Sequence, residues 1–174
     1  MKKLIPDMYS KSIYDIDYQR LKDKKIKCLL FDLDNTCVPY PEKKPTEELK
    51  ELFKKLEKMN FKIIIFSNTT PNRLDKFKDL GVEISALSKK PSSKNFLKIL
   101  KKYFYQKKEV CIIGDQLFTD IYGGNKVGIY TMLVDPLGPK DFIATKFSRM
   151  LEKIVFKTLA NKKIHQKGEY YYDR

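Results

Sequence analysis

The run IKCLLFD at residues 26–32, continued by LDNT to residue 36, decides the fold. It is apolar without alternation and of strand length, as in a strand covered on both faces. It runs straight into Asp32, and Asp34 follows two residues later. Residues i and i+2 of an extended chain point to the same side, so the two carboxylates project together from one strand end.

Further elements follow the same logic. Pro39, Pro41 and Pro45 mark a loop, after which Thr46 can cap a helix with Glu47 and Glu48 in its first turn. Leu49, Leu52, Phe53, Leu56 and Met59 give that helix one apolar stripe. FKIIIF (61–66) reads as a second strand, and Thr70-Pro71 opens a short helix that ends at Gly81. VEISAL (82–87) is a third strand. Ser92 or Ser93 caps a helix with Phe96, Leu97, Leu100 and Phe104 facing inward. VCII (110–113) is a fourth strand, and IYTMLV (129–134) a fifth after a short helix whose Gly123, Gly124 and Asn125 read as helix-end features. Strand alternating with helix predicts an α/β fold: a three-layer αβα, Rossmann-like domain with a mainly parallel sheet of about five strands. The 174 residues read as one domain. Residues 1–25 form a polar N-terminal extension with a short helix around Tyr18 to Lys22, and 141–174 a basic amphipathic helix and tail.

The net charge of +14 suggests acidic partners such as phosphates, nucleic acid or anionic lipid, although compositional bias alone also makes a chain lysine-rich. Arg20, Arg73, Arg149 and Arg174 are the only arginines. No stretch approaches the roughly 18 apolar residues of a spanning helix, and the first residues lack the apolar centre of a secretory signal. Cys28, Cys37 and Cys111 have neither disulfide nor zinc spacing. A cytoplasmic protein, peripheral at a membrane where it meets lipid, fits these features. His165, the only histidine, lies in the polar tail, which leaves no histidine base near the strands.

Ligands of parallel sheets sit beyond the carboxyl ends of the strands. There this chain places Asp32-Leu33-Asp34, Ser67-Asn68-Thr69, Lys89-Lys90-Pro91 and Gly114-Asp115. Like carboxylates about 4 Å apart repel by a few kcal/mol at an effective dielectric near 20, so Asp32, Asp34 and Asp115 need a cation or a shared proton. Oxygen ligands without Cys or His select a hard ion, and Mg²⁺ is the usual one. A cation beside the Ser67 hydroxyl, a backbone N–H and a lysine makes an anion site suited to phosphate. Asp32 can attack phosphorus to form an aspartyl-phosphate. Asp34 can protonate the leaving oxygen and later take a proton from water.

FDLDNT (31–36) resembles the DxDxT signature of the haloacid dehalogenase-like phosphatases. SNT (67–69), KKP (89–91) and GDQLFTD (114–120) are similar to that superfamily's second, third and fourth motifs, in order. SIYDID (12–17), the stretch from Ile112 to Pro136 and FIATKFSRMLEKI (142–154) look like its subfamily IIIA, YqeG-type branch. The resemblance implies that Asp32 is the nucleophile and a Mg²⁺ ligand. Asp34 is the general acid/base and gives the metal its backbone carbonyl; Asp115 completes the metal ligands. Ser67, with the Asn68 amide, binds phosphate and Lys90 neutralises it, Lys90 being preferred to Lys89 because it precedes Pro91. Asp120 supports the metal through water or holds Lys90, and Thr36 steadies the loop.

Many members of the superfamily carry a cap domain, but 32 residues between Asp34 and Ser67 and 22 between Ser67 and Lys90 leave room for none. An open crevice suits a phosphate carried on something large. On a helical wheel, Phe147, Leu151, Ile154, Val155 and Leu159 gather on one side of 145–160, and Lys146, Arg149, Lys153 and Lys157 on the other. That basic face suits packing with a solvated lysine side, or contact with an anionic membrane surface. The branch is similar to mitochondrial phosphatases that convert phosphatidylglycerophosphate to phosphatidylglycerol, which makes that lipid the specific substrate expected. Nucleotide, sugar and protein phosphates are the alternatives. A phospho-receiver module also gathers aspartates, a hydroxyl and a lysine, but its phosphoacceptor follows a central strand and has no acid two residues on. A nucleic-acid or ribosome-binding protein with vestigial activity would use the charge differently; no basic recognition helix stands out, and nucleic acid is not the expected partner.

Overall fold

Apolar runs without alternation need cover on both sides, and the chain supplies it by alternating strand with helix. The computed structural model describes residues 2–139, 143–162 and 166–172, with 143–147 by backbone alone. In chain order come β1 (Met8–Ser10), α1 (Tyr18–Asp23), β2 (Cys28–Phe31), α2 (Glu47–Lys58), β3 (Lys62–Phe66) and α3 (Pro71–Leu74). Then follow β4 (Glu83–Ser85), α4 (Ser93–Lys102), β5 (Val110–Gly114), α5 (Tyr122–Val127), β6 (Tyr130–Val134) and α6 (Ile143–Asn161). The sheet order is β1-β6-β5-β2-β3-β4, and every pairing is parallel.

Side chains of the central strands divide between two layers. Leu29, Phe31, Ile63, Ile65, Cys111 and Ile113 pack with Leu49, Phe53 and Leu56 of α2. Cys28, Leu30, Ile64, Phe66, Val110 and Ile112 pack with Phe96, Ile99 and Leu100 of α4. Each large side chain so buried contributes roughly 1.5–3 kcal/mol relative to exposure. The caps match the residues that predict them: Thr46 Oγ1 accepts from the Leu49 amide at 3.1 Å, and the helical segment after Pro71 ends on Gly81 at φ +70°.

Four expectations change. The sheet has six strands rather than about five, because β1 lies in the supposed irregular extension and pairs with β6. Three residues are too few to show a period, although Met8, Tyr9 and Ser10 are all buried. Leu97 and Phe104, expected inward, are 47% and 92% exposed, and Ile99 takes the inward place. The helix stops at Lys102, and Phe104 adopts φ +56° in the turn beyond it. Finally, β2 is the second strand and lies inside the sheet, so strand position gives no argument against a phospho-receiver; only the acid at Asp34 does.

The free edge of β1 is covered by the tail. Tyr9 and Tyr171 exchange backbone hydrogen bonds of 2.7 and 2.9 Å in an antiparallel bridge. Tyr9 and Tyr170 both donate to Asp135, at 2.6 and 2.8 Å. Covering an edge removes a template for pairing with other chains. The three cysteines are buried and unpaired, and burial pushes each thiol up, Cys28 to about 12, so they behave as small apolar residues.

Gly123 and Gly124 sit within α5 rather than at its end. A Cβ on Gly124 would lie 2.6 Å from the Ile112 and Thr131 methyls, which belong to stiff β-branched side chains in the sheet. Gly124→Ala is expected to cost about 1–3 kcal/mol, lowering the melting temperature by roughly 2–4 °C per kcal/mol in a calorimetric scan.

Candidate active site

At the carboxyl end of β2 the ladder continues one residue further, since the Asp32 amide donates to the Ile113 carbonyl at 2.9 Å. The chain then turns tightly, with the Cys37 amide on the Leu33 carbonyl at 2.9 Å and the Asn35 amide on the Val38 carbonyl at 2.7 Å. Asn35 takes φ +63°, a conformation Asn tolerates better than most residues. Leu33 is fully buried, so it anchors the loop between the two acids. Thr36 Oγ1 donates to Asp115 Oδ1 at 2.8 Å, which ties this loop to the end of β5.

The second and third expected motifs meet in one device. The Asn68 side chain donates to the Lys90 carbonyl at 2.9 Å and accepts from the Lys90 amide at 2.7 Å. Lys90 is thereby aimed inward, while Lys89 is exposed at φ +51°. Lys90 Nζ donates to Asp32 Oδ1 and Asp120 Oδ1, both at 2.6 Å. Burial alone would push this amine down, but Asp120 and Asp32 outweigh it and hold the ammonium above the ordinary lysine value. Ser67 is buried at the end of β3, its hydroxyl accepting from the Thr69 amide at 3.4 Å.

Asp115 follows β5 directly, and Asp120 returns to it after one turn of chain. Oxygens of Asp32, Asp115 and Asp120 lie within 4.8 Å of one another. Burial raises the pKa values of Asp115 and Asp120 and the charge of Asp32 adds to this, against the opposing pull of Arg149 on Asp115 and of Lys90 on Asp120. The donor set is all oxygen, which suits a hard cation. Asp34 lies apart from this trio. Its carboxylate accepts from Arg73 Nε at 2.8 Å and from the neighbouring Arg73 nitrogen. Burial raises the Asp34 pKa, the Arg73 contact opposes this, and the net direction is upward.

Sequence reading missed Arg73, Arg149 and Glu152. Arg149 was expected on the outward basic face of the last helix, but it turns inward. It contacts Asp115 Oδ2 and donates to the Asp115 carbonyl at 2.6 Å and to Glu152 at 3.0 Å. Glu152, 3% exposed, accepts from the Leu117 amide at 2.7 Å. Lys153 and Lys157 do face outward, yet Ile154, expected in the apolar stripe, is 60% exposed; Leu159 is buried, and Leu151 and Val155 are half-buried. The side chains of Lys146 and Phe147, like His165, lie outside the described residues. One signal was available: in a chain that uses lysine by default, two of the rare arginines go to the site.

These groups border a cleft of about 570 Å³, lined by Asp32, Asp34, Ser67 and Lys90, with Tyr40, Thr70, Arg73, Gln116, Thr119 and Ser148 among its walls. Between Asp34 and Ser67 the chain forms only a loop, α2 and β3, and between Ser67 and Lys90 only short helical turns and β4, so among the described residues no cap domain covers it.

The sequence pattern of a family described as mitochondrial PGP phosphatase matches residues 1–138. The chain belongs to that family. It is 33% identical over 162 residues to the probable phosphatase YqeG of Bacillus subtilis, covering 92% of this chain and 94% of that one. It is 28% identical over 165 residues to the chloroplastic/mitochondrial phosphatidylglycerophosphate phosphatase 1 of Arabidopsis thaliana, covering 84% of this chain and 46% of that longer one. A crystal structure of an uncharacterized Listeria monocytogenes protein superposes with a TM-score of 0.52 at 20% identity, over 75% of this chain and 99% of that one. The last shows the fold alone. The resemblance to haloacid dehalogenase-like phosphatases of the YqeG-type branch is borne out, and the chain is a phosphatase.

Gly114 makes the acidic cluster possible, because a Cβ there would lie 2.3 Å from Asp120 Cγ and Oδ2. Misplacement of about 1 Å in such a site costs up to about 100-fold. Gly114→Ala is therefore expected to lower kcat on 4-nitrophenyl phosphate at least about tenfold, with an unchanged far-ultraviolet circular dichroism spectrum.

Proposed function

We propose that this phosphatase is a Mg²⁺-dependent phosphomonoesterase that works through an aspartyl-phosphate on Asp32. The observation that carries the reading is the gathering of Asp32, Asp115 and Asp120 within 4.8 Å, buried, beside Lys90 and Ser67. Asp32, Asp115 and the Asp34 carbonyl would hold the ion, with Asp120 in support. Bound there, Mg²⁺ supplies Lewis-acid charge against the phosphoryl oxygens.

Lys90 donates to Asp32 Oδ1, which would also face the ion, and Oδ2, with no hydrogen bond among the described residues, would attack phosphorus. As that bond forms, the bond to the leaving oxygen breaks, and Asp34 gives that oxygen its proton. In the second step Asp34 takes a proton from water, the hydroxide attacks phosphorus, and the bond to Asp32 breaks to release phosphate. The raised pKa of Asp34 suits a group that must carry the proton first. Ser67 and the Asn68 amide bind the phosphoryl oxygens and Lys90 offsets their charge, so the transferred group meets polar partners on several sides.

Phosphatidylglycerophosphate is the specific substrate we assign. Supporting it are the names of the matched family and of the Arabidopsis relative, the open cleft and the charge of +14. Among the described residues no helix is long and apolar enough to cross a membrane. Lipid would then be met from its surface, with outward Lys153 and Lys157 of α6 attracting anionic headgroups, each by about 1 kcal/mol.

Asp32→Asn is expected to abolish turnover of 4-nitrophenyl phosphate, and wild-type rates in that variant would exclude Asp32 as nucleophile. EDTA is expected to remove activity and Mg²⁺ to restore it, followed by phosphate release. In mixed micelles, phosphatidylglycerophosphate is expected to give the highest kcat/KM among lipid, nucleotide, sugar and protein phosphates; a better soluble substrate would displace the lipid assignment.

A further inference from the structure

Arg73 is not absorbed by the chemistry above. It projects from the first turn after Pro71 into the cleft, its side chain 15% exposed. Lys90 is the only other cation among the described lining residues, and it is spent on two carboxylates. Arg73 instead touches Asp34 through two nitrogens and donates to the Glu42 carbonyl at 2.7 Å. Tyr40 and Phe77 hold its plane, with ring centroids 5.4 and 5.7 Å from Cζ. A guanidinium carries five N–H groups, three of which serve these bonds among the described residues, so two remain for a ligand.

Its position fixes which part of a substrate it can meet. Resting on the proposed reading, Asp34 addresses the leaving oxygen. Arg73 stands on Asp34 Oδ1, one carboxylate's width from that oxygen, and so beside the leaving group rather than the transferred phosphate. We propose that Arg73 is a specificity residue that binds a second anionic group carried by the leaving alcohol, such as a phosphodiester a few bonds from the scissile ester. A planar fork suits a diester's two free oxygens.

The test compares two substrates with the same glyceryl monoester. One is glycerol 3-phosphate; the other is glycerophosphoglycerol phosphate, which carries a diester on its leaving glycerol. The wild type is expected to favour the diester-bearing substrate in kcat/KM by about tenfold, the size of one charge-assisted contact. Arg73→Gln should bring the ratio near one, and Arg73→Lys should keep part of it. No wild-type preference, or an unchanged ratio in Arg73→Gln, overturns the proposal and reduces Arg73 to a support for Asp34. Calorimetric titration with glycerophosphoglycerol, which has no monoester, reads the contact without turnover. Binding lost in Arg73→Gln but kept in Asp32→Asn supports the proposal. The same result in a protein inactive on every monoester would sink the phosphomonoesterase reading, and with it the leaving alcohol, and would leave Arg73 as a diester-binding residue only.

Discussion

The ammonium of Lys90, closed off from water between Asp32 and Asp120, is the interaction on which the site depends. Two carboxylates at such range repel by several kcal/mol even at an effective dielectric near 20, and burial adds the cost of desolvation. A cation must therefore arrive with the fold, not after it. It does so because Asn68 grips the Lys90 backbone from both sides, making the loop after β3 the template for the loop after β4. Thr36 links the β2 loop to Asp115 in the same way. Residues far apart in sequence are thus tied to one another by hydrogen bonds around the acidic trio.

The two acids of the first loop are separated by environment although only one residue lies between them. Asp32 faces the Lys90 ammonium. Asp34 faces Arg73 and the cleft wall, in a place where burial works toward protonation. A nucleophile and a proton carrier need opposite protonation at the same pH. The fully buried Leu33 and the tight turn behind it hold the two side chains in these different surroundings.

The central sheet was legible because β2, β3 and β5 are apolar runs but for Lys62, and because Thr46, Pro71 and Gly81 carry local signals. The motif residues were legible for a related reason: parallel strands of one sheet deliver their carboxyl ends to one place. β1 escaped because three residues have no period, and its burial depends on partners over a hundred residues away. Phe104 misled because an apolar residue just beyond a helix still fits the helical wheel, though the backbone has already turned. Arg73 and Arg149 escaped for a different reason. Arg73 lies in a helix of four residues, too short to show a face, and the wheel drawn for the last helix assigns every charge to solvent and has no means to represent a charge that another buried charge requires.

Arg149 changes what counts as the catalytic unit. Read as a basic amphipathic appendage, the last helix would be dispensable, and the family match itself ends at residue 138. Yet Arg149 meets both the side chain and the carbonyl of Asp115, and Glu152 both holds Arg149 and accepts from the amide of Leu117, in the turn between Asp115 and Asp120. Breaking a buried pair by removing one partner leaves an uncompensated charge. Detaching α6 would do this to Asp115 and would leave the Leu117 amide without its acceptor. The strand edge adds the same constraint at the other end of the tail, where Tyr171 closes β1. The helix is therefore held by the residues of the candidate site and holds them in return.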